Sequence, residues 1–183
     1  MKLRHLLLLF ISFFFVLPLY AEYFKHIGLS EGLTQPSVMA IYQDRLGRMW
    51  FGTKEGISQY DGNRVRIFKG WIKSVGEEPP VWLGNEVSFI VGDSLDNLYF
   101  LIDKNLIKYD IQTEKFSRLT NESIITALTS SEGQVWYMKH DSLFCLKADK
   151  EPTFVLKTNI TSRICCLTMM DDQIGIGTYN EFI

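Results

Sequence analysis

After its first 21 residues, the chain alternates apolar and polar residues in short stretches separated by polar turns. The first stretch covers residues 37–44, and a turn with Gly47 leads to the aromatic run 49–53. A second turn with Gly56 leads to another alternating stretch, residues 57–62. Alternation with a period of two is typical of β-strands, and glycine readily adopts the positive φ that tight turns require. The pattern predicts three short antiparallel strands.

The same unit returns three times, over residues 86–110, 124–146 and 162–178. The aligned positions are Trp50, Tyr99, Trp136 and Gly175. They lie about 40 residues apart, with one longer first interval, and repeats of that length with about four strands are typical of propeller blades. In the second copy Asn97 follows Asp96 in place of the turn glycine, and we expect this pair to supply the left-handed backbone conformation.

The sequence therefore predicts an all-β fold, a β-propeller with about four four-stranded blades. Blade-like repeats are expected near residues 33–69, 84–117, 121–157 and 161–183, within a partial propeller over residues 22–183. Because such propellers usually close with more blades, we expect part of a larger, seven-bladed propeller with an incomplete last blade, from a truncated or fragmentary gene product. Sustained apolar spacing of three and four is absent from the sequence, which argues against helical repeats.

Composition is that of a folded domain, with 46% hydrophobic and 14% aromatic residues. The net charge is −2 and the basic residues are scattered, so the basic footprint of a nucleic-acid-binding protein is missing. The three cysteines, Cys145, Cys165 and Cys166, form no metal-binding pattern, and we expect them to be small buried apolar residues on strands. No metal and no cofactor are expected.

Residues 1–21 have the plan of a secretory signal peptide. Lys2 and Arg4 precede an apolar run over residues 6–19, and Ala21 is a small residue suited to the cleavage position. An uncleaved membrane anchor is the alternative, but the run is shorter than the ~20 residues that a spanning helix needs. We therefore expect export and a periplasmic location, with no transmembrane span in the chain.

Two adjoining motifs carry a family resemblance. Residues 24–38 resemble the opening of the periplasmic region of hybrid two-component sensors from Bacteroidetes-type bacteria. The spacing Asp44-x-x-Gly47-x-x-Trp50, followed by Phe-Gly-Thr, is similar to the two-component regulator propeller repeat of that family. The later copies are degenerate, so the resemblance covers most of the chain but is strong only in its first quarter.

The resemblance implies a periplasmic ligand-sensing propeller module of a two-component signal transduction receptor, with oligosaccharides as ligands. In the family such a region precedes a histidine kinase core, but the kinase motifs map onto no position of this chain. The chain is therefore not expected to be an enzyme, and no catalytic residue is assigned. Its expected partners are an oligosaccharide and the remaining propeller blades or a partner chain. The alternatives are a secreted propeller lyase or glycosidase, and a non-catalytic protein-interaction scaffold.

Aromatic residues divide into a repeating and a non-repeating set. The repeating set is expected to pack between blades: Trp50, Tyr99 and Trp136. Trp71 and Trp82 do not repeat and lie in a connection rich in glycine and proline, residues 70–85. Exposed aromatic faces suit stacking on sugar rings, and such connections lie at the propeller surface. Trp71 and Trp82 are thus the candidate ligand-binding residues, and the alternative is that both pack under their own loop.

Overall fold

The computed structural model describes residues 24–72, 81–95, 97–119, 125–131, 133–147, 150–160, 162–171 and 173–179. The predicted signal peptide, residues 1–21, lies outside the described residues. A short 3-10 helix, Leu29–Glu31, is followed by a four-stranded antiparallel sheet in the order β1-β2-β3-β4. The strands of this first sheet are β1 (Val38–Gln43), β2 (Met49–Thr53), β3 (Gly56–Tyr60) and β4 (Val65–Phe68).

A two-stranded ribbon, β5 (Trp71–Ile72) and β6 (Val81–Trp82), connects the first sheet to the second. The second sheet contains β7 (Val87–Gly92), β8 (Asn97–Ile102), β9 (Asn105–Asp110) and β10 (Lys115–Arg118). The third contains β11 (Ile125–Ser131), β12 (Gln134–Lys139), β13 (Ser142–Lys147) and β14 (Thr153–Lys157). The fourth has two described strands, β15 (Ile164–Met170) and β16 (Gln173–Thr178).

The sheets are arranged as consecutive propeller blades. The first strand of each sheet contacts the first strand of the next, through the pairs β1–β7, β7–β11 and β11–β15. In the part of the chain that the structure describes, β15 makes no comparable contact with β1, so these sheets form an open fan. The predicted all-β propeller fold is confirmed, and the total of seven blades stays a prediction.

All four sheets share a β-bulge near the start of their first strand. The register shifts lie between Val38 and Ala40 and at the corresponding places of the other three strands, namely Val87/Phe89, Ile125/Ala127 and Ile164/Cys166. A bulge inserts one extra residue and redirects the side chains around it. The repeat is therefore conserved in backbone detail even where its sequence is degenerate.

Aromatic packing joins the first sheet to the second, as the repeating positions predicted. Trp50 is fully buried and lies 5.7 Å from Phe100 and 5.1 Å from Tyr109 between ring centroids, and both partners belong to the second sheet. Tyr99 packs in a second cluster with Leu128 and Tyr137 of the third sheet. Trp136 is partly buried against the cluster that joins the third and fourth sheets. The predicted role of these aromatic residues is confirmed.

A buried aspartate organises the turn between β1 and β2. Asp44 Oδ1 accepts hydrogen bonds from the backbone amides of Leu46 (3.0 Å) and Arg48 (2.9 Å). Its Oδ2 accepts from Arg48 Nε (2.7 Å) and from Trp50 Nε1 (2.8 Å). One carboxylate therefore holds both the turn and the ring that packs against the next sheet, which explains the spacing of the repeat motif.

The second sheet repeats this arrangement with different side chains. Asp93 Oδ1 accepts from the amides of Leu95 and Asn97, both at 2.9 Å, and Oδ2 accepts from Asn97 Nδ2 (2.8 Å) and Tyr99 Oη (3.0 Å). Asn97 begins strand β8 and pairs with Asp110 of β9, whereas Asp96, the other residue of the predicted turn pair, lies outside the described residues. The prediction that Asn97 supplies a left-handed turn residue is therefore wrong; it replaces Arg48 as a donor to the aspartate.

Tyr109 lacks the kind of hydrogen bond that Tyr99 donates to Asp93, so the two tyrosines can be compared. Its ring is fully buried, 4.5 Å from Phe116 between centroids, and its hydroxyl has no hydrogen-bond partner among the described residues. We expect Tyr109→Phe to leave the free energy of unfolding unchanged or raise it by up to about 1 kcal/mol, because no bond is lost. Tyr99→Phe is the matched control and is expected to lower it by about 1 kcal/mol, because the bond to Asp93 is lost. Urea unfolding followed by circular dichroism measures both, and equal losses would contradict this assignment.

The cysteine prediction is only partly correct. Cys145 is buried on β13, and burial raises the pKa of its thiol. Cys165 and Cys166, however, are exposed, and all three cysteines are free. The two exposed thiols lie at the bulge of β15, where the local break in the strand pairing turns side chains away from the core.

Candidate functional site

The β5–β6 ribbon brings the two predicted ligand-binding residues together. Trp71 pairs directly with Trp82, and Ile72 pairs with Val81. Because side chains alternate between the faces of a strand, Ile72 and Val81 pack against the core while the two tryptophans point away from it. Trp71 is 66% exposed and Trp82 is 39% exposed.

The two indole rings form an inclined pair. Their centroids are 5.4 Å apart and their planes meet at 55°. Two inclined faces of this kind can contact neighbouring rings of a flexible ligand, whereas one flat surface would contact a single ring. We call this surface the tryptophan pair. Both side chains are accessible, and binding by them stays a prediction.

Arg118 supports the tryptophan pair and was not singled out by the sequence. Its Nη2 donates to the backbone carbonyl of Trp82 at 2.7 Å, and its Nη1 donates to Asn105 Oδ1 at 3.3 Å. The amide of Leu83 donates to the carbonyl of Gly70 at 3.0 Å, which closes the base of the ribbon. These bonds attach the ribbon to the second sheet, so the pair is held on a fixed support.

A second feature is a cavity of about 840 Å³, which we call the axial cavity. It lies where β7 and β15 begin and β8 ends, between the second and the fourth sheets. Its lining residues are Glu86, Ser88, Phe89, Leu101, Asp103, Lys104, Arg163, Ile164, Cys165 and Tyr179. Ser88 and Cys165 occupy the bulge positions of their strands, so the shared bulge directs two side chains into this cavity.

Four charged side chains belong to the lining of the axial cavity: Glu86, Asp103, Lys104 and Arg163. The Asp103 carboxylate accepts hydrogen bonds from the amides of Asn85 (2.9 Å) and Glu86 (3.0 Å). Asp103 and Lys104 form the turn between β8 and β9, and both have positive φ, 47° and 63°. The Arg163 guanidinium lies 5.7 Å from the centroid of the Tyr179 ring.

Sequence reasoning missed this cavity because its residues come from distant repeats. One local signal was present, since a two-residue turn between strands normally carries glycine at its second position, where this turn carries Lys104. The described ranges contain no group of three metal-ligating side chains and no helix with the length and apolar character to cross a membrane.

Comparison with known proteins agrees with this architecture. The family described as "Two component regulator propeller" matches residues 32–55, which include the Asp44 turn and Trp50. The curated histidine kinase P4 of Formosa agariphila is 39% identical over 46 residues, which are 25% of this chain and 3% of the kinase. The resemblance to two-component regulator propellers is thus confirmed.

Solved structures of similar fold include an extracellular domain of a two component system and an enzyme. The extracellular domain of a putative hybrid two component system from B. thetaiotaomicron has a TM-score of 0.68 at 22% identity, over 84% of this chain and 24% of that one. A streptogramin B lyase has a TM-score of 0.58 at 17% identity, over 84% of this chain and 56% of that one. At these identities the similarity shows the fold alone.

Together these findings define the class of the protein. The described residues form consecutive blades of a β-propeller. Residues 32–55 match the two-component regulator propeller family, and the fold of the chain resembles the extracellular domain of a putative hybrid two component system. The chain spans a small part of the length of the kinase and less than a third of the extracellular domain that it resembles.

Proposed function

We propose that this chain is a non-catalytic part of the periplasmic ligand-sensing propeller of a two-component receptor, and that its ligand is an oligosaccharide. The observation that carries the proposal is the propeller repeat matched over residues 32–55, which the structure builds around Asp44 and Trp50. The signal-peptide pattern of residues 1–21 supports export. Phosphorylation chemistry would belong to other parts of a receptor.

The tryptophan pair supports an oligosaccharide as the ligand. Indole faces provide large, rigid contact areas, and the C–H faces of sugar rings pack well against them. Trp71 and Trp82 lie on a connection between blades, where a scaffold of regular strands presents variable residues to solvent. Arg118 holds the backbone of Trp82, which reduces the conformational entropy that this segment loses when a ligand binds.

Binding of neutral and acidic oligosaccharides to the full chain, measured by isothermal titration calorimetry, tests this proposal. We expect Trp71→Ala/Trp82→Ala to weaken binding of a responsive oligosaccharide at least about tenfold, since each lost stacking contact removes on the order of 1 kcal/mol. Phe154→Ala is the matched control, because Phe154 is 56% exposed on β14 of the third sheet and should leave affinity unchanged.

Two results would count against the proposal. Unchanged affinity in the double variant would remove the tryptophan pair from the binding surface. Failure of every oligosaccharide to bind the folded chain would remove oligosaccharides as the ligand class.

A further inference from the structure

We propose that the axial cavity binds a uronic-acid residue of an acidic oligosaccharide, with Lys104 and Arg163 facing the sugar carboxylate. This inference rests on the proposed function, because it names the chemical class of the ligand. The tryptophan pair would contact a separate part of the same oligosaccharide or bind an oligosaccharide independently of the axial cavity.

The described lining of the axial cavity contains two basic side chains, Lys104 and Arg163, and two acidic ones, Glu86 and Asp103. Both oxygens of Asp103 accept backbone hydrogen bonds. Lys104 and Arg163 form no ion pair with any carboxylate among the described residues, which leaves both cations available to a bound anion. Two cations that face one space attract an anion more strongly than either does alone, and a guanidinium can bind a carboxylate through two hydrogen bonds.

Lys104 occupies a backbone position that favours glycine. Its φ of 63° follows an Asp103 φ of 47°, and positive φ at both central residues of a two-residue turn favours Asn-Gly or Asp-Gly. A lysine in this conformation costs folding free energy relative to glycine. Strained residues of this kind cluster at binding sites, where the side chain has a use that offsets the cost. Here the lysine adds a positive charge to the cavity lining.

The aromatic and apolar lining suits the ring of a sugar. Phe89 and Tyr179 line the cavity together with Leu101 and Ile164. Tyr179 is 72% exposed, and Arg163 lies over its ring, so the cation and the aromatic face are presented side by side. The volume of about 840 Å³ lies within the ~300–1,000 Å³ range of ligand pockets, which is room for a short oligosaccharide.

Titration calorimetry of the full chain with trigalacturonate and with its methyl ester tests the inference. The two probes share their rings and differ in charge. We expect trigalacturonate to bind at least about tenfold more tightly than the ester, with a preference that weakens when sodium chloride is raised from about 0.05 to 0.5 M, because salt screens exposed charges. We expect Arg163→Gln and Lys104→Gly each to weaken trigalacturonate binding about tenfold and to leave the ester unaffected.

The Lys104→Gly variant carries a second readout that separates binding from folding. Glycine adopts positive φ without strain, so the melting temperature of this variant should be equal to that of the parent chain or higher, although its affinity is lower. Lys69→Gln is the charge-matched control, since Lys69 is an exposed lysine that follows β4 and does not line the cavity. It should change neither affinity nor melting temperature.

The possible failures of the two proposals are distinguishable. Equal binding of both probes, unaffected by the cavity variants, would overturn the acidic-sugar site and leave an oligosaccharide sensor standing. Binding of trigalacturonate that is weakened equally by Lys69→Gln would also overturn the site, because the attraction would then be general. Absence of trigalacturonate binding overturns the inference, while the wider oligosaccharide panel decides the proposed function separately.

Discussion

Replacing Trp50 with alanine is expected to lower the free energy of unfolding by about 4 kcal/mol. The ring is fully buried, lies 5.9 Å from the stacked ring of Phe68 between centroids, and contacts Phe100 and Tyr109 of the next sheet. Its removal leaves a cavity in the hydrophobic cluster that joins the first and second sheets. Urea unfolding of the full chain, followed by circular dichroism, measures the loss.

Trp71→Ala is the matched control for this prediction. The substitution is the same, but Trp71 is 66% exposed, and we expect a loss of less than about 1 kcal/mol. Comparing the stability losses of the two variants therefore distinguishes a tryptophan that packs in the core from one that lies on the surface. A similar loss for both variants would contradict the assignment of Trp50 to the contact between the first two sheets.

Replacing Asp44 with asparagine is expected to lower the free energy of unfolding by about 3 kcal/mol at pH 7. The side chain keeps its size and one acceptor oxygen. The other oxygen becomes an amino group, which faces the donors Arg48 Nε and Trp50 Nε1 and cannot accept from them. The change also leaves the largely buried Arg48 guanidinium without its carboxylate partner.

The same carboxylate gives the protein a defined response to acid. Burial raises the pKa of Asp44, but hydrogen bonds from Trp50 and Arg48 and the charge of Arg48 outweigh burial and hold the pKa below its ordinary value of 3.8. A carboxyl group with a lowered pKa in the folded state stabilises that state above the ordinary pKa. This stabilisation is lost as the pH falls from about 3.8 through the lowered value.

The stability difference between the parent chain and Asp44→Asn should therefore shrink below about pH 4. Other carboxylates with lowered pKa, such as Asp61 and Asp110, titrate in both proteins and cancel in the comparison. Asp61→Asn serves as the control, because Asp61 accepts only backbone hydrogen bonds in an exposed turn and asparagine can still accept them. A difference for Asp44→Asn that is constant from pH 3 to pH 7 would rule out this account.

Much of the fold could be predicted from the sequence because a blade is a local structure. Strand alternation, turn residues and the spacing of Trp50 and Tyr99 lie within single repeats, and each repeat folds into one antiparallel sheet. The aspartate of the motif also acts within its own turn, six residues before the ring that it holds. The prediction for Asn97 was wrong because its side chain donates a hydrogen bond to Asp93, and only the three-dimensional structure shows this bond.

The candidate sites show the limits of sequence reasoning more clearly. Trp71 and Trp82 were found because they break the repeat, but their pairing and exposure depend on the register of the β5–β6 ribbon. The exposure of Cys165 and Cys166 could not be predicted, because it depends on the β-bulge of β15. The bulge is a feature of the pairing between β15 and β16, and the sequence of β15 alone does not indicate it. The role of Arg118 could not be predicted, because only the structure shows that its guanidinium donates to the backbone carbonyl of Trp82.

The sequence by itself determined the all-β propeller class, the position of the two-component regulator repeat and the division between packing and non-repeating aromatic residues. These follow from short-range periodicity and turn chemistry, which act over a few residues. Only the tertiary structure decided which side chains from different blades meet, and it placed Lys104 and Arg163 in the lining of one cavity. Contacts between blades depend on how whole sheets pack against each other, and no pattern within a single repeat encodes that arrangement.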